Sequence, residues 1–114
     1  PRRGAGVHER VAISASELSK VFKALGNQRR RAVFQVVWRA GSGEMAGVRR
    51  GCTVGEIATR TGMPQPSVSL YLQRLTEAGL VATRRSHRSV VCTINPEVLA
   101  AVAAWAREPG RERL

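Results

Sequence analysis

Gln65, Ser67, Ser69, Leu70, Gln73 and Arg74 bring amide, hydroxyl, branched apolar and guanidinium side chains into one stretch of ten residues. Val68, Leu72 and Leu75 recur through the same stretch at helical spacing. These groups contain no nucleophile–base–acid set, so the chemistry they share is recognition by hydrogen bonds and shape. A Gln amide matches the donor and acceptor on an adenine edge, a Ser hydroxyl bonds a base or a phosphate, and an aliphatic side chain meets a thymine methyl. With Val68 turned inward and about 100° per residue from there, Leu70 lies almost opposite. Pro66, Gln73, Arg74 and Glu77 share the outer half, Ser67 and Ser69 flank it, and Gln65 and Tyr71 sit nearer the boundary. A face that merely meets solvent usually carries more Glu and Lys.

Such a helix has to be presented by others. Thr53 and Glu56 form a capping box that starts a helix over 53–61, and a second helix over 65–78 follows a short turn. Ala58 is the small residue where the two cross, and Gly62 tolerates the positive φ of the turn. Ile57 then closes a core with Val68, Leu72 and Leu75. Pro66 is acceptable only in the first turn, where its missing N–H has no partner to lose. Gly79 is placed to end the helix in a left-handed conformation. Beyond Leu80 the period changes: VATRRS (81–86) and SVVCTI (89–94) read as strands of a hairpin with His87 and Arg88 at its basic tip.

Upstream, Ser14 and Glu17 form another capping box, opening a helix with Leu18, Val21, Phe22 and Leu25 on one face and stopping at Gly26. Asn27 caps a helix over 28–40, whose stripe of Val33, Val36, Val37 and Ala40 is broadened by Phe34 and Trp38. Its opening turn, Gln28-Arg29-Arg30-Arg31, sets cations against the helix dipole. A solvated face, a phosphate contact or an Arg held in a buried pair all fit it. Residues 41–52 are Gly-rich and aperiodic, as in a loop. Asn95-Pro96-Glu97 starts a last helix bearing Val98, Leu99, Val102 and Trp105, and Pro109-Gly110 ends it. The division expected is a basic arm over 1–13, one domain over 14–107 and a charged tail over 108–114, mainly α with a small β-hairpin.

The 114 residues suit a single domain with a small core, of the kind that is often completed by dimerisation. The formal net charge is +11, and 17 of the 19 basic residues are Arg, which grips a phosphate through two hydrogen bonds. The 53–80 segment is itself neutral, because Arg60 and Arg74 balance Glu56 and Glu77. The positive charge flanks it at Arg49, Arg50, Arg84, Arg85 and Arg88, which suits a helix that specifies and flanks that hold backbone. No apolar run approaches the roughly 20 residues of a membrane span and no signal-peptide pattern is present, so a cytoplasmic setting is expected, with no membrane partner. Cys92 shares the phase of Val90 and Ile94, as a buried thiol would. Cys52, in the loop beside Arg49 and Arg50, is a candidate redox site. A closed transition-metal centre usually needs three or four good ligands, and the two Cys and two His of this chain lie far apart in sequence; no metal site and no cofactor are expected. An RNA-binding sheet would show aromatic residues on its strands and a protein-docking helix an apolar patch; the hairpin has no aromatic residue, and Leu70 alone is no patch.

LSKVFKALGNQRRRAVFQVV (18–37), TVGEIATRTGMPQPSVSLYLQRLTEAGLV (53–81) and RRSHRSVVCTI (84–94) together resemble the ArsR/SmtB-type winged helix-turn-helix repressors of bacteria, over about residues 16–107. Gln65 to Leu75 matches that family's recognition helix, and Arg30 falls where its members carry an arginine. The resemblance implies a homodimeric, sequence-specific repressor paired through its first and last helices, here the faces of Leu18, Val21, Phe22 and Leu25 and of Val98, Leu99, Val102 and Trp105. It implies double-stranded DNA as partner, read as an imperfect inverted repeat by Gln65, Pro66, Ser67, Ser69, Leu70, Tyr71 and Arg74, with the wing residues Arg84, Arg85, His87 and Arg88 on the backbone or minor groove. The chain departs from the family at Leu70 and Tyr71, where members often carry Arg and His, and in its longer 41–52 loop. The metal ligands of many members are also missing. Cys52-Thr53-Val54-Gly55 holds one displaced Cys, and 96–106 holds neither Asp nor His. A small-molecule or redox effector remains open, as do a redox-responsive repressor switched through Cys52 and a basic module binding RNA or protein.

Overall fold

The computed structural model describes residues 12–41 and 51–108. Residues 1–11 of the expected 1–13 arm, most of the Gly-rich loop with Arg49 and Arg50, and the tail beyond Glu108 lie outside the described residues. Five helices, α1 (Ala15–Leu25), α2 (Gln28–Gly41), α3 (Val54–Thr61), α4 (Gln65–Glu77) and α5 (Pro96–Arg107), surround a small sheet of β1 (Cys52–Thr53), β2 (Val81–Ser86) and β3 (Ser89–Ile94). The sheet is antiparallel with strand order β1–β3–β2. Among the described residues no helix is long and apolar enough to cross a membrane.

The expected caps form. Ser14 Oγ accepts from the Glu17 N–H at 3.0 Å while Glu17 Oε1 accepts from the Ser14 N–H. Thr53 and Glu56 make the same reciprocal pair at the start of α3. Asn27 Oδ1 accepts from the Arg30 N–H. Gly62, at φ 73°, closes α3 by donating to the Ala58 carbonyl, and its left-handed backbone turns the chain into α4. At the far end of α4, Gly79 (φ 80°) donates to Thr76 and Leu80 to Leu75, a complete Schellman closure.

Two expectations are corrected. Cys52 belongs to a strand, not a loop: β1 pairs with β3 in the register Cys52–Cys92 and Thr53–Val91. A two-residue strand has no period to detect in sequence, and its partner lies forty residues away. The approach is close enough that a Cβ on Gly51 would sit 2.6 Å from the Cys92 carbonyl oxygen, so only glycine fits there. The second correction concerns the arginines opening α2. Arg30 Nε donates to the Ala24 carbonyl at 2.7 Å and its Nη2 to Lys23 at 3.1 Å, while Arg31 Nη1 donates to Leu25 at 2.6 Å. Cations that oppose the dipole of α2 thus satisfy the last carbonyls of α1, where the dipole favours them.

The core draws Val21 and Ala24 from α1, Val33, Phe34 and Val37 from α2, Ile57 from α3 and Val68, Leu72 and Leu75 from α4, closed by Leu80, Val81, Cys92 and Val98. A smaller cluster of Ile13, Leu18 and Ala101 joins α1 to α5, with Trp105 packed against it. Of the residues expected at the dimer interface, Leu18, Val21 and Val98 are buried within this chain. Phe22 is 45% exposed, and Leu25, Leu99, Val102 and Trp105 are half-buried.

Candidate nucleic-acid interface

The position of α4 follows from its own inner face. Val68, Leu72 and Leu75 are buried against Ile57 and the α2 stripe, which fixes the rotation of the helix. Its other side is turned outward: Gln65, Pro66, Ser69, Leu70, Gln73 and Arg74 are all exposed. Ser67 is half-buried, and Tyr71 packs partly against the core, which withdraws both from the centre of the outward face. Leu70 is 48% exposed, high for a large aliphatic side chain in so small a protein. The Gln65 side chain lies over Gly55 of α3, its Nε2 3.7 Å from where a Cβ there would stand. Arg74 forms an exposed 3.4 Å ion pair with Glu77 one turn on, so its charge is partly answered within the helix.

The wing is β2 and β3 joined by the two-residue turn His87-Arg88. Register pairs Arg84 with Val91 and Arg85 with Val90. Successive strand residues point to opposite faces, so Arg84 and Arg85 serve opposite faces of the wing and Arg88 its tip. All three, and His87, are exposed. His87 holds a φ of 57°, a left-handed value that side chains adopt at some cost.

The relation of wing to recognition helix rests on Asn95, a residue the sequence marks only as a helix cap. Its Oδ1 caps α5 through the Glu97 N–H, its Nδ2 donates to the Gly79 carbonyl at 2.9 Å, and its own N–H donates to Leu80. One side chain thus ties the end of α4 to the junction of β3 and α5. A hydrogen bond sixteen residues distant leaves no trace in local spacing.

Cys52 and Cys92 are both buried, and neither forms a disulfide. Burial, and then the neighbouring Cys52, push the Cys92 thiol up from 9.0 to about 11, away from the thiolate form that reacts or binds metals. Among the described residues no group of three or more His, Cys, Asp or Glu side chains is arranged to hold a metal ion.

The MarR family model matches residues 43–89, which take in α3, α4 and the first strand and turn of the wing. Among solved structures, an ArsR family transcriptional regulator is 30% identical, with 86% of this chain and 91% of that chain covered at a TM-score of 0.66. The homodimeric winged helix-turn-helix DNA-binding domain of a possible ArsR-family regulator from Mycobacterium bovis is 29% identical, covering 81% of this chain and 76% of that one at 0.62. The transcriptional repressor BigR from Xylella fastidiosa is 26% identical, covering 81% and 83% at 0.60. No curated protein matches the sequence. The five helices and three-stranded sheet of the described residues agree with these similarities: the chain belongs to the ArsR family of winged-helix transcriptional regulators, which are not enzymes.

Proposed function

We propose that the protein is a homodimeric repressor that binds an imperfect inverted repeat, with one α4 in the major groove of each half-site. The observation that carries this reading is the outward face of α4: exposed Gln65, Ser69, Leu70 and Gln73 beside a wing of three exposed arginines. Gln65 and Ser69 supply base-edge hydrogen bonds, Leu70 an apolar contact, and Arg84, Arg85 and Arg88 the backbone charge. Ser67 and Tyr71 contribute from the margin, His87 from the wing tip.

The second copy would sit on the apolar band of α5. Leu99 and Val102 line an open groove with Trp38, which is 48% exposed, and further along α5 Trp105 meets Phe22 edge-on at a centroid distance of 5.3 Å. Two exposed aromatic rings flanking one helix are a costly surface for a monomer to leave in water. The homodimeric state of the Mycobacterium bovis domain supports the same arrangement. The two recognition helices would then meet half-sites about one helical turn apart.

Selection of bound sequences from a random double-stranded pool tests the whole reading. Enrichment of an inverted repeat with half-site centres about 10 base pairs apart is expected. Recovery of unenriched sequence would reduce the protein to a non-specific polyanion binder. Preferential recovery of RNA from a mixed pool would transfer the reading to that polymer.

A further inference from the structure

Lys20 and Lys23 of α1, Arg30 of α2 and Arg74 and Glu77 of α4 line one open groove. Four cations face one carboxylate there, and that carboxylate is already paired with Arg74. The groove is not an accident of mobile side chains. Arg30 is held in its wall by bonds to the carbonyls of Ala24 and Lys23, and Lys20 and Lys23 lie one turn apart on the same helix, so both ammonium groups serve the same surface. Neither lysine belongs to the helix-turn-helix or to the wing.

We infer that this groove is a second phosphate-binding surface, which grips the DNA backbone at the edge of the major groove that α4 enters. The inference rests on the reading of α4 as the recognition helix. Arg74 lies nine residues beyond Gln65, about 13 Å along the helix at 1.5 Å per residue. The major groove is about 12 Å wide. When Gln65 to Leu70 lie over base edges, the wall of the groove that begins at Arg74 therefore stands at the distance of the flanking phosphates. The wing holds one side of the site and the α1–α2–α4 groove another, and the arginines of the wing need not supply the whole affinity. Glu77 is the opposing element: its carboxylate neutralises Arg74 and repels a phosphate entering the groove.

The test compares full-length wild type, the double variant Lys20→Ala/Lys23→Ala and Glu77→Gln for binding to the selected sequence and to unrelated DNA over a range of salt. Both lysines are exposed on a helix surface, and an unchanged helical spectrum confirms that the double variant is folded. The double variant should weaken both DNAs by the same factor and flatten the slope of log K against log salt by about one to two units, near 0.9 for each phosphate no longer neutralised. Glu77→Gln should tighten both. Wild type that selects DNA while the double variant keeps the full slope overturns this groove and leaves the recognition helix standing. Wild type that binds no DNA overturns both. Inorganic phosphate forms the second arm: amide shifts at α1 that depend on Lys20 and Lys23, with the DNA slope unaltered, would assign the groove to a free phosphate and overturn the backbone assignment.

Discussion

Replacing Arg30 with Ala should cost more stability than its surface position suggests. The side chain makes two charge-assisted bonds to the end of α1, from Nε to Ala24 at 2.7 Å and from Nη2 to Lys23 at 3.1 Å, the first partly buried and the second exposed. A hydrogen bond to a charged group contributes about 1.5–3 kcal/mol; the lower end suits the partly buried bond. The exposed bond is screened and contributes about 0.5 kcal/mol at most. The expected loss is therefore about 2 kcal/mol, or a fall of about 1 M in the urea midpoint at an m-value near 2 kcal/mol/M. Urea unfolding followed by circular dichroism, at one fixed protein concentration because association would add to stability, measures it. Arg29→Ala, which changes an exposed neighbour on the same turn, should leave the midpoint unmoved. Arg30→Lys keeps the charge but not the fork that reaches two carbonyls, and should recover less than half of the loss. An Arg30→Ala midpoint within error of wild type, or full rescue by lysine, would refute the account of these arginines as the C-terminal cap of α1.

Ser69→Ala and Gln65→Ala should each weaken the selected sequence by about 1–3 kcal/mol while barely changing unrelated DNA; equal losses on both would remove them from base readout. Arg85→Ala and Arg88→Ala should weaken all sequences alike and flatten the salt slope by about one unit for each phosphate no longer neutralised, and an unchanged slope would take the wing out of the interface. Phe22→Asp, at a ring that is 45% exposed, should yield monomers in sedimentation velocity, and a persisting dimer would move the interface elsewhere. It is a cleaner probe than Trp105→Asp, since Trp105 also packs on the Ile13–Leu18–Ala101 cluster. The raised pKa of Cys92 predicts a stability window. The unfolded thiol ionises at 9.0 and the folded one at about 11, so stability is intact below pH 9 and falls as pH rises from 9 to 11. Cys92→Ser should lose that pH dependence, and a wild type equally stable at pH 8 and pH 10.5 would contradict the burial argument.

Local chemistry alone was enough to determine the helices, the caps and the outward face of α4. The capping boxes at Ser14 and Thr53, the asparagines at 27 and 95, the positive φ at Gly62 and the inward set of Val68, Leu72 and Leu75 each depend on residues within a few positions of one another, and such spacing is visible in a string of letters. Tertiary structure decided what distant segments share. It moved Cys52 from a loop into a strand facing Cys92, because a two-residue strand is made by its partner and not by its own period. It turned Arg30 and Arg31 back onto α1, because the end of one helix happens to lie beside the start of the next. It enclosed Leu18, Val21 and Val98 within the chain and left Phe22 and Trp38 outside, a sorting that periodicity cannot make when both kinds of residue lie on apolar stripes. It also set Lys20 and Lys23 across a groove from Arg74, and through Asn95 it joined the end of α4 to the β3–α5 junction. Hydrogen bonds and charge between segments far apart in sequence depend on the path of the whole backbone, and that path exists only once the core has formed.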